Sequence, residues 1–466
     1  SMNMINVRRL TVMAFLGAGM LPGISAQESP LQADTLNEAK LPAQWDLQSC
    51  IDYALEQNIT IRKNRVTAES TQIDVKTAKA ALFPSLSFST SQQVVNRPYQ
   101  ESSSRVSGNE IISSNSKTSY NGNYGLNASW TLYNGNKRLK TIKQEQLNNH
   151  VAELDVATSE NTIQESIAQV YIQILYAAES VRVNENTLQV SIAQRDRGEQ
   201  LLNAGSIAKS DFAQLEAQVS TDRYQLVTAQ ATLQDYKLQL KQLLELDGEN
   251  EMDIYLPNLS DENVLAPLPT KKDVYVSALA IRPEIEASKL NVEASELGID
   301  IAKSGYFPTI SLSAGIGTNH TSGSDFTFGE QVKNGWNNSI GLSVSVPIFN
   351  NRQTKSAVQK AKLQRETSML SLLDEQKALY KAIEGLWLDA NSAQQQYVAA
   401  AEKLRSTQTS YDLIQEQFNL GMKNTVELLT EKNNLLNAQQ ETLQAKYMAI
   451  LNAQLLRFYQ GEGIQL

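Results

Sequence analysis

Two periodicities alternate along this 466-residue chain, and the alternation is written twice. From Leu47 to Ala80, the apolar positions Ile51, Ala54, Leu55, Ile59, Ile61 and Ile73 recur at helical spacing. The pattern stops at "LFPS", where Pro84 drives Phe83 toward extended backbone. Pro283 to Ser304 reads as a second helix and stops at "YFPT", with Pro308. After each stop the period falls to two. Tyr120, Tyr124, Leu126, Ala128, Trp130 and Leu132 share one face, against Asn121, Asn123, Asn127, Ser129 and Thr131 on the other. Trp336, Ile340, Leu342, Val344, Val346 and Ile348 alternate in the same way with Asn337, Ser339, Ser343 and Ser345. Shorter strands precede them, on Leu86, Phe88 and Thr90 and on Ile310, Leu312, Ala314 and Ile316. The polar segments 97–117 and 319–335 read as loops between paired strands. Strands of this length with one apolar and one Asn/Ser/Gly face fit a membrane barrel, although a half-buried soluble sheet gives the same alternation.

Very long helices follow the strands. Lys137 to Asn203 and Gln353 to Asn419 each read as one helix, ~100 Å long at 1.5 Å per residue. Ile383, Ala390, Tyr397, Leu404, Tyr411 and Phe418 are each seven apart, and Ile167, Ile174, Val181, Leu188, Arg195 and Leu202 match them in the first copy. A sustained seven-residue period predicts coiled-coil packing. Each long helix ends at a glycine, Gly205 or Gly421, the expected C-cap. Return helices are expected over Asp211–Leu246, with a seam including Leu226, Leu233 and Leu240, and over Val426–Phe458, with a seam on Leu429, Leu436, Leu443 and Ile450. The acidic, proline-containing stretch 247–272 reads as a surface linker. The copies are 216 residues apart: "LNASWTLYN" (126–134) answers "LSVSVPIFN" (342–350), and "LLNAGSIAKSDFAQLEA" (201–217) answers "QFNLGMKNTVELLTEKN" (417–433). Such self-similarity means two structural copies in one chain.

One chain offers four strands. Unpaired edge amides cannot sit in lipid, so a membrane sheet of this size must be closed by further chains.

Composition narrows the function. The net charge is −9, and no basic stripe with interleaved aromatics occurs, which argues against a nucleic-acid partner. Arg8 and Arg9, an apolar run from Leu10 to Leu21 and small Ala26 read as an export signal over residues 1–26. Cys50 is the single cysteine and makes no internal disulfide. "LQSC" resembles a lipobox, but Trp45 and Asp46 stand where its apolar run belongs, so Cys50 is expected on a buried helix face. Only His150 and His320 are present, and no HExxH, GxSxG, P-loop or CxxC pattern occurs. No enzyme activity, metal or cofactor is therefore expected.

The ordered, duplicated series helix–"FP"–hairpin–"YNG/FNN"–long helix–glycine turn–return helix resembles the TolC-like outer-membrane efflux proteins, over about residues 45–462. The resemblance implies a mainly α fold with membrane β: a homotrimeric, twelve-stranded β-barrel, four strands per chain, continuing into a periplasmic α-helical barrel. Under it, residues 27–44 form an N-terminal periplasmic segment. Residues 45–247 form the first repeat, with its hairpin at about 84–133 and return helix 207–246. Residues 248–272 form an equatorial linker. Residues 273–462 form the second repeat, with its hairpin at about 308–349 and return helix 424–460. It also implies an exit duct in the outer membrane of a Gram-negative bacterium, working with a periplasmic adaptor (membrane fusion) protein and an inner-membrane transporter. Asp211 and Glu427, each six residues after a tip glycine, would line the periplasmic constriction, and such carboxylate rings favour cations. Lys423 matches a basic residue and Phe418 an aromatic residue that hold the gate shut; Lys209 is a further pairing partner by spacing alone. A second acid is missing, since Thr430 occupies its place and Glu431 falls one residue late. The tip residues Gly205, Ser206, Ser210, Gly421, Asn424 and Thr425 would meet the adaptor. The same residues also read as plain helix caps: Asn424 with Glu427 as a capping box, and Ser210 with Asp211 as a cap and an acid at a helix start.

Two other readings are open. A periplasmic coiled-coil structural protein would explain the heptads and the signal but not lipid-like hairpins. An outer-membrane enzyme or receptor barrel gives no reason for helices of this length.

Overall fold

The computed structural model describes residues 41–101, 103–107, 110–114 and 117–466. The expected export signal and residues 27–40 lie outside the described residues. From Trp45 onward the chain forms one unit. The first repeat runs α1 (Leu47–Gln57), α2 (Ile59–Ala80), β1 (Ser85–Asn96), β2 (Ser103–Ser107), β3 (Glu110–Ser114), β4 (Thr118–Tyr133), α3 (Lys137–Asn203) and α4 (Lys209–Leu243). A short α5 (Asp261–Val264) lies in the connection. The second repeat runs α6 (Lys271–Ile281), α7 (Pro283–Lys303), β5 (Thr309–Thr321), α8 (Phe328–Asn334), β6 (Asn337–Ser345), α9 (Gln353–Asn419) and α10 (Thr425–Tyr459).

The four long strands form one antiparallel sheet in the order β1-β4-β5-β6. The repeats meet at its centre, where Leu126 pairs with Ile316, Ala128 with Ala314 and Trp130 with Leu312. Alternation sends Leu86, Phe88, Ile340, Leu342 and Val344 out on the sheet surface, all highly exposed in one protomer. β6 is shorter than its alternation suggests. It stops at Ser345 because Pro347 has no N–H to donate and restricts Val346. The expected loops also carry structure of their own. β2 and β3 pair inside the first. In the second, Thr327 caps α8, accepting from the Glu330 amide at 3.3 Å while the Glu330 carboxylate accepts from the Thr327 amide at 2.8 Å.

Strand passes to long helix through the same turn in both copies. Gly135 and Asn136, and likewise Asn351 and Arg352, adopt left-handed backbone (φ 72°, 64°, 55° and 69°). The "YNG" and "FNN" motifs are these turns. Both long helices span 67 residues, over the limits their heptads and terminal glycines predict.

Three expectations need correction. The helix read as continuous from Leu47 to Ala80 breaks at Asn58, which leaves helical backbone (ψ 127°) and caps α2 by accepting from the Thr60 and Ile61 amides. Arg282 makes the matching break before Pro283, and the 11-residue α6 precedes it, beginning inside the stretch read as linker. That linker is not simply a surface segment. Met252, Ile254, Leu259 and Val264 are buried among its acids and prolines. They join Trp45, Cys50, Ile51 and Tyr171 in the main core, and Ile254 forms a parallel bridge with Trp45. The linker also caps α9 side chains: Trp387 donates to the Pro269 carbonyl at 3.1 Å and Gln394 to the Ala266 carbonyl at 2.8 Å. Cys50 is fully buried in this belt, which pushes the pKa of its thiol up to about 12. Third, near the tip the buried stripe of α10 runs one residue earlier than its leucine heptad, on Leu428, Lys432, Leu435 and Ala438, while farther along Leu443 packs against the core and Ile450 is buried, as expected.

Candidate functional site: the helical tips

Both long helices end in the same hydrogen-bonded turn. Gly205 donates to the Leu202 carbonyl at 2.9 Å and Ser206 to Leu201 at 2.8 Å; Gly421 donates to Phe418 at 2.9 Å and Met422 to Gln417 at 2.8 Å. These paired bonds form a Schellman motif, which needs its C′ residue in left-handed backbone. Gly205 and Gly421 sit at φ 72° and 74° with open space around them, so conformation and not crowding demands glycine there.

The second tip is held by side chains. Asn424 accepts from the Glu427 amide at 2.8 Å, and the Glu427 carboxylate accepts from the Asn424 amide at 3.1 Å. The other Glu427 oxygen meets the Lys423 ammonium at 3.0 Å. The Asn424 amide first, and Lys423 after it, hold the Glu427 carboxyl below the usual glutamate value. Behind the turn Phe418 is 3% exposed and packs with Tyr411, Leu428 and Leu435. Thr425, expected at the docking surface, is instead buried.

The first tip is looser. Ser210 does not cap α4. The N-cap position falls on Ala208, which has no acceptor, and only Asp211 reaches back, to the Ala208 amide at 3.3 Å. Lys209 stands exposed in the first turn and pairs with no acid among the described residues. Leu202 occupies the place of Phe418 and is half-buried. Ser206, Ser210 and Asn424 are exposed. The turns thus bring Lys423, Asn424 and Glu427 together in one cluster and leave Asp211 in another. Thr430 is exposed, and Glu431 faces Asn434 at 3.5 Å.

Comparison with known proteins decides the family. The model of the outer membrane efflux protein family matches residues 50–245 and 274–462. The chain belongs to that family. It is 25% identical to the outer membrane protein TolC of Escherichia coli K12 over 315 residues, 65% of this chain and 62% of that one. It is 22% identical to the TolC of Salmonella enteritidis over 437 residues, 92% and 83% of the two chains. The crystal structure of CusC superposes with a TM-score of 0.75 at 19% identity, covering 91% of this chain and 94% of that one. This efflux-family chain is an outer-membrane protein whose helices reach into the periplasm.

One cluster escaped the sequence reading. Ser191 of α3, Asp222 of α4 and Lys432 of α10 meet in a buried hydrogen-bonded triad. The signal was present: Asp222 falls on the α4 seam, four residues before Leu226 and seven before Ala229. Arg195, which interrupts the α3 heptad, turns aside to Asp196 at 2.9 Å. Its neighbour Gln194 points inward instead and donates to the Tyr411 hydroxyl at 2.8 Å.

Proposed function

We propose that copies of this chain close into a homotrimeric exit duct across the periplasm and outer membrane, the outlet of a tripartite efflux or type I secretion system. The carrying observation is a pair of open edges along one protomer. The sheet ends on β1 at one side and β6 at the other. On the β1 side, α2 exposes Val66 and Ile73, seven apart, and α4 exposes Tyr224 and Val227. On the β6 side, α9 exposes Leu363 and Leu370, seven apart, and further down Val398 and Leu413. Heptad-spaced apolar residues with no partner are half of a coiled-coil seam. The two edges differ, so their contact is heterologous, and such a contact closes into a ring when the rotation between successive copies completes a circle. Closure also pairs the edge amides that lipid cannot hydrate, and it leaves the apolar sheet face against hydrocarbon.

In this assembly the tips narrow the periplasmic end. Asp211 and Glu427 line the constriction. Lys423 and the buried Phe418 hold the second tip closed, and Lys209 stands exposed beside the first. The exposed turn around Gly205, Ser206, Ser210, Gly421 and Asn424 receives a periplasmic adaptor protein that couples the duct to an inner-membrane transporter.

Planar-bilayer recording tests this reading. The detergent-purified protein should give discrete cation-preferring channels of low conductance, and Asp211→Ala with Glu427→Ala should raise conductance and weaken the cation preference. Absence of channels from the assembled wild type would contradict the duct. Unchanged conductance and selectivity in the variant would remove both carboxylates from the gate.

A further inference from the structure

We infer that Lys432, Asp222 and Ser191 form a latch between the two helical hairpins of one protomer, positioning the tips from inside the wall; the inference rests on the duct reading. Ser191 and Asp222 belong to the first hairpin, α3–α4, and Lys432 to the second, α9–α10. The Ser191 hydroxyl donates to Asp222, and the Lys432 ammonium donates to both. Gln218 donates to the second Asp222 oxygen at 2.9 Å, so both carboxylate oxygens are engaged. The side chains of Lys432 and Asp222 are only 4% and 2% exposed. The triad lies roughly two to four helical turns from the tips.

Stability alone does not explain it. Burying two charges costs desolvation, and a well-packed apolar pair in the same space is often neutral or more stable. Burial indeed pushes the Lys432 ammonium below its ordinary value, against the opposing pull of Asp222. A buried ion pair does offer one property that an apolar pair lacks. When the hairpins separate, both charges regain water, whereas parted leucines would expose apolar surface. The closed register is therefore specific and still reversible. Duplication does not supply this device. At the matching positions 216 residues away, the chain carries Thr407, Ala438 and Glu216. It is also distinct from the half-exposed Lys423–Glu427 pair, which salt screens.

The test records wild type, Lys432→Met, Asp222→Asn, Ser191→Ala and the double variant Lys432→Met/Asp222→Leu in planar bilayers, with thermal melting of each assembly. Wild-type channels are the precondition, and their absence would refute the duct itself. The latch predicts that Lys432→Met and Asp222→Asn each raise the conducting fraction by about tenfold or more, because one charge is left buried and unpaired. Ser191→Ala, which removes no charge and should assemble normally, raises it less. The double variant orphans no charge, so it melts at or above the wild-type temperature and conducts no more than wild type. Assembled single variants that melt lower but conduct as wild type would show a merely structural role and overturn the latch. A double variant as open as the singles would overturn it too, and if the singles fail to assemble, Ser191→Ala with unchanged conductance does the same.

Discussion

The two tips of this molecule share a backbone and differ in what holds it. Each ends a 67-residue helix with a left-handed glycine and the same pair of turn hydrogen bonds. The second tip adds a reciprocal capping box, an ion pair and a buried aromatic; the first has an alanine at its N-cap position and one carboxylate contact. Duplication therefore preserved the turn and left the side-chain support free to diverge. The first hairpin is the one more loosely fastened at its end.

Several substitutions bear on that contrast. The largest effect is expected from Phe418→Ala. It empties a buried site and should cost about 3–5 kcal/mol, against about 1 kcal/mol for the half-buried Leu202→Ala at the matching place. Hydrogen exchange of the turn amides after each change would read the difference, and equal losses would erase the contrast. Next come the glycines. Gly205→Ala and Gly421→Ala should each cost about 1–2 kcal/mol from left-handed strain, and the costs should match because the turn is common to both tips. Smaller again are the caps. Asn424→Ala should loosen the second tip by about 1 kcal/mol, and Ala208→Asn should tighten the first by about as much, making the two more alike. The smallest effect is on pH. The Glu427 carboxyl is held below its ordinary value in the folded state. Its stabilising contribution is complete above about pH 4.5 and fades as pH falls through the lower folded-state value. Exchange at the Asn424 amide should rise in that window, and Glu427→Gln should abolish the rise.

Much of the fold was legible because periodicity and punctuation agreed. The long helices carry sustained heptads and stop at glycines; the strands alternate and begin after "FP". The break at Asn58 was not legible, because apolar spacing continues through it and only a side-chain cap marks it. In the connection, buried Met252, Ile254, Leu259 and Val264 are scattered among acids that dominate its composition. The α10 stripe was misplaced by one residue because its leucines at Leu428 and Leu429, and at Leu435 and Leu436, come in adjacent pairs. Misplacing that stripe hid Lys432, which sits on the corrected one. At the tips, residue type alone could not separate capping from gating. Asn424 and Glu427 do cap, and the same Glu427 also meets Lys423.

The central claim is that one protomer is an incomplete wall whose β1/α2/α4 edge is closed by the β6/α9 edge of the next. The mass of the assembly extracted from outer membranes, before and after heating, tests it most directly. The account predicts a detergent-dependent particle of three chains that falls to single chains on heating. A single chain released into buffer without detergent, folded and stable with both edges open, would contradict it.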